Sequence, residues 1–267
     1  MMISLIISTY NSPEALAVLL RSVARQTRPP GEVVVADDGS GPETLAIIQV
    51  AQAASPHVPF HHVWQEDKGF RLARSRNGAI AKSTGDYLVF VDGDVILHER
   101  FVEDHAAMAL PGCFMTGGRV YLYAEQTRRA LQAETYWPSL FAKGIGSRKN
   151  LIRCKPAAVF FRKKNLITGN GCNFAAWRED LVRVNGFNED FAGWGLEDNE
   201  LSIRLRNAGC LGKRLRHMAL CCHLQHLHYS RETAKKNKEL FLLAVQEKRI
   251  WCDNGLNGHD TGSNDAN

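Results

Sequence analysis

The sequence predicts an α/β fold in which helices cover both faces of a mostly parallel sheet. Over residues 1–113, short apolar runs alternate with segments of helical periodicity, an order that is typical of parallel sheets. The apolar runs are continuous, as expected for strands that are buried on both faces. Polar motifs follow several of these runs, so one edge of the sheet should carry a ligand-binding crevice.

Each predicted element has its own local signal. The first strand is the β-branched run at residues 3–7, and Ser12-Pro13 then supplies an N-cap with proline at the first helical position. An apolar stripe at i, i+3, i+4 and i+7 over residues 16–23 predicts a helix that ends near Arg28. The alternation continues with strands at residues 32–36, 60–64 and 87–91 and with helices from about residue 42 and at residues 72–82.

The pattern becomes less regular after Phe114, and this half of the chain should wrap the crevice. A helix is expected over residues 197–208, because its apolar positions share one face and Gly209 can terminate it. Residues 231–251 are predicted to form a terminal helix, and residues 254–267 a disordered tail rich in Gly, Asn and Asp. We therefore expect a single domain over residues 1–253.

Composition narrows the class of protein. The formal net charge of +5 is a mild excess that favours anionic partners such as nucleotides, without the dense basic patch that nucleic-acid binding needs. The seven cysteines are odd in number and irregularly spaced, unlike a secreted disulfide framework. With neither a signal peptide nor a long apolar span in the sequence, the expected location is the cytoplasm.

The first acidic motif is Asp92-Gly93-Asp94, which follows an apolar strand. Carboxylates at a strand end would face the crevice, and Gly93 would let a ligand approach the backbone closely. Hard carboxylate oxygens suit Mg²⁺ or Mn²⁺ that bridges to phosphate oxygens. The same spacing also occurs in surface turns, and its position on the sheet favours the metal interpretation.

The second acidic motif is Glu197-Asp198, at the start of a predicted helix. The helix dipole favours acids there for structural reasons alone, and it should lower the pKa of Asp198. The dipole does not explain the preceding Gly193-Trp194-Gly195. Trp194 could stack on a sugar ring, although a core tryptophan is nearly as good an interpretation.

A third cluster contains Cys221-Cys222-His223 followed by His226 and His228. A zinc site is one interpretation, but no second cysteine pair at suitable spacing completes four ligands. In a continuous strand, His226 and His228 would share one face and His223 the other.

Taken together, several motifs resemble those of family 2 glycosyltransferases with the GT-A fold, in particular the bacterial chondroitin-polymerase-like and galactosyltransferase-like branch. The resemblance extends over about residues 3–230. The motifs are Ser8-Thr9-Tyr10-Asn11, Asp37-Asp38-Gly39-Ser40, Lys68-Gly69-Phe70-Arg71-Leu72-Ala73-Arg74-Ser75-Arg76-Asn77, Val91-Asp92-Gly93-Asp94 and Gly193-Trp194-Gly195-Leu196-Glu197-Asp198.

The resemblance implies a role for each matching position. The nucleotide of a UDP-sugar would lie against five residues: Ser8, Tyr10, Asp38, Arg71 and Asp92. Metal ligands would be Asp94 and Asp92, with a histidine after the last strand, His226 or His223. The donor and acceptor sugars would contact Trp194, Gly195 and the Gly169–Asn173 segment, including Asn173. Residues 1–113 would then be the nucleotide-binding half and residues 114–230 the acceptor-binding half.

The implied reaction is an inverting transfer, in which Asp198 deprotonates the acceptor hydroxyl and Glu197 positions a substrate. A histidine beside the carboxylates would favour Mn²⁺ over Mg²⁺. The acceptor would be a glycan or glycolipid of surface polysaccharide or lipopolysaccharide synthesis. Two other classes remain open, a nucleotidyltransferase acting on sugar phosphates and a catalytically silent module that binds nucleotide sugars.

One basic stretch has no place in this chemistry. It contains seven lysines and arginines, at positions Arg148, Lys149, Arg153, Lys155, Arg162, Lys163 and Lys164. Such a stretch is most often a solvated face. The functional alternative is contact with an anionic acceptor or peripheral contact with the inner membrane surface.

Overall fold

A computed structural model describes residues 1–161, 165–166, 169–226 and 232–259 of the chain. The fold has two sheets and a set of helices that pack on them. The strands are β1 (Ile3–Thr9), β2 (Glu32–Asp37), β3 (Phe60–Trp64), β4 (Tyr87–Asp92), β5 (Val95–Leu97), β6 (Cys113–Gly117), β7 (Arg119–Leu122), β8 (Ile145–Gly146), β9 (Asn165–Leu166), β10 (Phe174–Trp177), β11 (Leu211–Leu215) and β12 (Cys221–His223).

The helices are α1 (Pro13–Ala24), α2 (Pro42–Ala54), α3 (Leu72–Lys82), α4 (Phe101–Met108), α5 (Ala124–Gln132), α6 (Lys155–Phe161), α7 (Arg178–Arg183), α8 (Glu197–Asn207) and α9 (Ala234–Gln246). Helices α1 to α8 lie between these strands in chain order, and α9 follows β12. Within the described ranges, no helix is both long and apolar enough to cross a membrane.

The main sheet has eight strands in the order β3-β2-β1-β4-β10-β6-β11-β9. Strands β3, β2, β1 and β4 are parallel, and β10 is antiparallel to both of its neighbours. A second sheet of four strands has the order β5-β12-β7-β8. The prediction of an α/β fold with a mostly parallel sheet and a less regular second half is confirmed.

Helices bury both faces of the main sheet. Ile3, Leu5 and Ile7 of β1 point to one face, where they pack against α1, α2 and α4. Ile6 and Phe90 point to the opposite face, where they pack against α3 and α8. Since successive residues of a strand point to opposite faces, an uninterrupted apolar run fills both layers. Because β1, β2 and β4 run parallel, their carboxyl ends meet at one edge of the sheet.

The ends of three elements differ clearly from the sequence prediction. Helix α1 ends at Ala24 and not near Arg28. Helix α9 covers Ala234–Gln246 and is shorter at both ends than the predicted 231–251. The tail predicted to be disordered from residue 254 is ordered up to His259: Leu256 is buried, and the Asn257 amide donates to Asn185 Oδ1 at 2.7 Å. The apolar Leu256 anchors a segment whose average composition is polar. Residues 260–267 lie outside the described residues.

Candidate active site

The carboxyl ends of β1, β2 and β4 open into a cleft of about 680 Å³. Its wall includes residues from every acidic or polar motif that the sequence analysis singled out. The predicted site residues that line it are Ser8, Tyr10, Asp38, Asp92, Asp94, Trp194, Gly195, Glu197, Asp198, His223 and His226. The predicted convergence of distant motifs on one crevice is thus present in the structure.

One end of the cleft is built from the segments after β1 and β2. Asp38 accepts hydrogen bonds from Gln65 Nε2 at 2.5 Å and from the main-chain amide of Arg71 at 2.7 Å, while burial raises its pKa. The Tyr10 hydroxyl donates to Asp67 Oδ2 at 2.9 Å, and the tyrosine remains 38% exposed. A carboxylate beside an exposed aromatic ring can bind hydroxyl groups and a flat ring together.

Arg71 does not reach this cleft with its side chain. Its guanidinium donates to the main-chain carbonyl of Glu66, and only its main-chain amide contacts Asp38. Arg71 is the N-cap of α3 and its side chain turns back along the preceding loop, so Arg71 is not among the residues that line the cleft. Its contact with a nucleotide base or diphosphate stays a prediction.

A different arginine of the same motif, Arg76, enters the cleft. It is 1% exposed, and its Nε donates to Ser8 Oγ at 3.1 Å. Its Nη2 donates to Asp92 Oδ1 at 3.0 Å and its Nη1 to Glu197 Oε1 at 3.1 Å. One guanidinium therefore joins the two acidic motifs, which are far apart in sequence.

Sequence reasoning missed Arg76, although a signal was present. Ala73, Arg76, Asn77 and Ile80 lie at i, i+3, i+4 and i+7, and all four are buried. A charged residue on the apolar stripe of a helix is seldom buried without a partner. An arginine at that position of the stripe therefore indicates a buried carboxylate partner.

Asp94, His223 and His226 form a second cluster of side chains in the cleft. One ligand atom from each lies within 4.8 Å of the others. His223 Nε2 is 3.4 Å from Asp94 Oδ1, and His226 Nε2 is 3.3 Å from Asp94 Oδ2. The residues come from the turn after β4, the end of β12 and the segment after β12.

The chemistry of this cluster fits a divalent cation. Asp94 Oδ1 is buried and accepts no hydrogen bond from a described residue, and burial raises the pKa of Asp94. His223 Nδ1 lies 2.8 Å from the Leu224 carbonyl, which can only accept a hydrogen bond, so Nδ1 is the donor and Nε2 is the nitrogen that faces Asp94. Two imidazole nitrogens and a carboxylate are a suitable donor set for a first-row divalent metal.

The structure decides between the alternative interpretations of the histidines. Strand β12 ends at His223, so the strand face proposed for His226 and His228 does not exist for His226, and His228 lies outside the described residues. Cys221 and Cys222 are fully buried in the core and are not part of the metal cluster. Asp92, a predicted metal ligand, is instead bound to Arg76 and lies outside the cluster.

Glu197 and Asp198 begin α8 at the floor of the cleft. Asp198 Oδ2 accepts from the Gly171 amide at 2.7 Å, and Oδ1 accepts from the Asn199 amide at 2.7 Å. The expected lowering of the Asp198 pKa by the helix dipole is wrong. Burial raises the pKa of Asp198, and burial together with the neighbouring Asp198 raises that of Glu197 against the opposing effect of Arg76.

Trp194 is 46% exposed at the cleft wall, which excludes the core interpretation of this residue. Its loop is held from outside, because Asn237 Nδ2 of α9 donates to the carbonyls of Gly195 at 3.1 Å and Ala192 at 3.2 Å. The ring is therefore presented to the cleft by a fixed turn.

Asn173, a predicted sugar contact, is buried away from the cleft. It is 0% exposed, its Nδ2 donates to the Ala219 carbonyl at 2.8 Å, and its Oδ1 lies 3.1 Å from His105 Nε2. The preceding residues 169–172 do line the cleft. Gly171 has a specific reason to lack a side chain, since a Cβ there would lie 2.9 Å from Arg76 Nη2.

The sequence matches two family descriptions. "Glycosyl transferase family 2" matches residues 4–182, more than half of the chain, and "N-terminal domain of galactosyltransferase" matches residues 157–227. Both matches cover segments that contribute to the cleft.

Two individual proteins with similar sequences are, by name, a glucosyltransferase and a chondroitin synthase. Validoxylamine A glucosyltransferase of Streptomyces hygroscopicus subsp. limoneus is 30% identical in an alignment of 230 positions that covers 78% of this chain and 48% of the relative. Chondroitin synthase of Pasteurella multocida (strain Pm70) is 27% identical in an alignment of 273 positions that covers 92% of this chain and 27% of the relative. The chain thus spans about half, or less, of the length of these curated relatives.

The fold is also similar to that of a solved structure, S. aureus TarS 1-349 in complex with UDP. The TM-score is 0.62 at 18% sequence identity, and the alignment covers 93% of this chain and 68% of that chain. At this identity the likeness concerns the fold, and it agrees with the predicted GT-A architecture. From the family match and the relatives together, this chain belongs to glycosyl transferase family 2.

Proposed function

We propose that this chain is a metal-dependent inverting glycosyltransferase that transfers a sugar from a UDP-sugar to a hydroxyl of a glycan or glycolipid. One observation carries the proposal: a cation-binding cluster (Asp94, His223 and His226) and a partly buried carboxylate (Asp198) line the same cleft. The first suits the leaving diphosphate, and the second suits the incoming hydroxyl.

The nucleotide would bind at the carboxyl ends of β1 and β2. Asp38 has a carboxylate suited to ribose hydroxyl groups, and the exposed Tyr10 ring is suited to stack on uracil. Ser8, near the carboxyl end of β1, would contribute its hydroxyl, which accepts a hydrogen bond from Arg76 Nε. Residues 1–113 would then hold the nucleotide, and residues 114–230 would provide the acceptor side. UDP in the TarS neighbour supports this class of donor.

The metal would be held by Asp94, His223 and His226, and the two imidazoles favour Mn²⁺ over Mg²⁺. A bound cation of this kind supplies charge neutralisation for the departing diphosphate. Asp92 would act differently from the sequence-based expectation. Held by Arg76, it would keep the guanidinium between the metal cluster and α8, close to where the negative charge of the leaving group develops.

Asp198 would accept the proton of the acceptor hydroxyl as the new carbon–oxygen bond forms. Its raised pKa makes it a stronger base than an exposed aspartate, and the amides of Gly171 and Asn199 fix its orientation. Glu197 is paired with Arg76, so its role would be to position that guanidinium. A single base and no enzyme nucleophile correspond to transfer with inversion at the anomeric carbon.

The donor or acceptor sugar would stack on Trp194, next to Gly195 and to the small residues that precede Asn173. An aromatic face beside glycines, which carry no side chain, allows a sugar ring to approach the backbone closely. The acceptor class proposed from the family is a glycan or glycolipid of surface polysaccharide or lipopolysaccharide synthesis.

The test measures UDP release from a panel of UDP-sugars, with Mn²⁺ and with a chelator, for the wild type and Asp198→Asn. Turnover should require Mn²⁺, and Asp198→Asn should lower it by about a hundredfold or more with UDP affinity nearly intact. The control is Asp253→Asn, which makes the same change at an exposed position outside the cleft. Unchanged turnover in Asp198→Asn would exclude the base assignment, and no turnover with any donor would favour a silent binding module.

A further inference from the structure

One segment of the chain combines positive charge with exposed apolar side chains and is not used by the proposed reaction. Residues 135–178 contain nine lysines and arginines and no aspartate or glutamate. The whole chain has 33 basic and 28 acidic residues, so acids outnumber bases in the rest of the molecule. The net positive charge of the protein therefore comes from this segment.

The structure places much of that charge in solvent. Lys143, Arg148, Lys149 and Lys155 are exposed, whereas Arg153 is paired with Asp104 at 2.5 Å. The three lysines make no ion pair with any residue in the described ranges. They are free to interact with an external anionic partner. The remaining bases of the predicted stretch, at positions 162–164, lie outside the described residues.

Large apolar side chains are exposed among these bases. Phe141 is 87% exposed, Phe160 65%, Val159 49% and Ile152 45%. In α6 the buried Ala158 packs into the core, so Val159 and Phe160 lie on the outer side of that helix. Water is an unfavourable environment for such a combination of aromatic and aliphatic groups.

Hydrogen bonds hold parts of this surface together. Arg148 Nη1 donates to the Leu140 carbonyl at 2.9 Å, which links the loop of Phe141 to the helical turn Arg148–Leu151. The Cys154 amide donates to the His217 carbonyl at 2.9 Å, which anchors the start of α6. We refer to residues 140–160 as the 140–160 surface.

We propose that the 140–160 surface docks on an anionic lipid bilayer. Basic side chains attract anionic headgroups, and neighbouring aromatic and aliphatic groups enter the interface between headgroups and acyl chains. A soluble acidic glycan would interact with the basic side chains but would leave the exposed apolar side chains in water. The exposed phenylalanines therefore favour a bilayer.

The location of this surface gives docking a consequence for the cleft. Asn150 Nδ2 donates to the Arg119 carbonyl at 2.7 Å, and Gly146 of β8 pairs with Tyr121 of β7. Arg119 and Tyr121 line the cleft. Docking would hold this wall of the cleft close to the headgroups, where a lipid-linked acceptor would be found. Bilayer binding itself requires no sugar transfer, so it can be tested independently of the proposed function.

The experiment is co-sedimentation of the full chain with vesicles of phosphatidylcholine alone or of phosphatidylcholine mixed with phosphatidylglycerol, at low and high salt. The wild type should bind the mixed vesicles far more strongly, and high salt should weaken the binding. The double variant Arg148→Glu/Lys149→Glu should lower the partition coefficient at least about tenfold. Phe141→Ser/Phe160→Ser should lower it several-fold at both salt concentrations.

Matched controls lie on α9. Lys235→Glu/Lys236→Glu makes the same change in charge, and Leu242→Ser removes an apolar side chain that is 50% exposed. Both should leave the partition coefficient unchanged, and thermal unfolding midpoints verify that each variant is folded. Equal binding to both kinds of vesicle, or equal loss in the controls, would overturn the proposal. If Phe141→Ser/Phe160→Ser kept the partition coefficient of the wild type, the proposal would also be overturned, because binding would then depend on charge alone.

Discussion

Arg76 offers the sharpest test of how the cleft is held together. Replacement by methionine keeps much of the side-chain volume and removes the guanidinium that pairs with Asp92 and Glu197. Loss of one partner from a buried ion pair costs about 3–5 kcal/mol, because the remaining charge stays buried without compensation. The side chain of Glu197 is 12% exposed and that of Asp92 is 31% exposed, so most of this cost should come from Glu197.

The assay is equilibrium unfolding in urea at neutral pH. Because burial raises the pKa of Glu197 to about 7, Glu197 can take up a proton when Arg76 is lost, which reduces the cost of the unpaired charge. Arg76→Met should therefore lower the free energy of unfolding by about 1–3 kcal/mol, less than the full cost of an uncompensated charge. A double-mutant cycle with Glu197→Gln isolates the pair: the second substitution should cost less in the Arg76→Met background, with a coupling of about 0.5–3 kcal/mol. Arg76→Lys keeps the charge but not the forked geometry of the guanidinium. Its free energy of unfolding should therefore lie between those of the wild type and Arg76→Met.

Two outcomes would refute this reasoning. A loss below about 1 kcal/mol in Arg76→Met would show that the pair is no stronger than a surface salt bridge. Strict additivity of Arg76→Met and Glu197→Gln would show that the two side chains do not interact in solution.

The remaining predictions concern the metal cluster and the core. Asp94→Ala should abolish the increase in UDP affinity that Mn²⁺ gives the wild type, and titration calorimetry with Mn²⁺ and with a chelator measures it; an equal increase in both proteins would contradict the metal role. Burial lowers the pKa of His105 from 6.5 to about 4, so the unfolded chain is protonated there at a higher pH than the folded chain. Stability due to this histidine should be complete above pH 6.5 and fall by about 3 kcal/mol as the pH falls to 4. His105→Gln can still donate to Asn173 and should remove that part of the pH dependence, whereas equal pH slopes of the unfolding free energy in both proteins would refute the assignment.

The sequence predicts those features that depend on local pattern. Helix α3 has the predicted bounds, since its apolar stripe and flanking polar residues are local. The position of Asp92 after an apolar run predicts a carboxylate at the edge of the sheet, and the structure has it there. The fold class follows from the same alternation of strands and helices.

Features that depend on tertiary neighbours could not be predicted in the same way. The choice between Arg71 and Arg76 depends on which side of α3 faces the sheet, and the partners of Arg76 come from β4 and α8. Asn173 follows a segment that lines the cleft, yet it turns into the core to bind His105 and the Ala219 carbonyl. The stripe of α3 places Arg76 on the buried face of the helix but does not show which carboxylates it meets, and no motif shows that Asn173 turns into the core.

The raised pKa of Asp198 also depends on tertiary neighbours. Its place at a helix start predicts a lowered pKa, whereas burial in the cleft raises it. Desolvation depends on how residues far apart in sequence cover the carboxylate, and the sequence around Asp198 does not contain that information.

In the proposed reaction, Asp94, His223 and His226 hold the cation that binds the leaving diphosphate. Anomalous diffraction from crystals grown with UDP and Mn²⁺ tests this proposal most directly. We expect one strong manganese peak within bonding distance of Asp94 and of at least one of the two histidines, in contact with the diphosphate. A peak held by Asp92 with neither histidine, or UDP bound in the cleft without manganese, would contradict it.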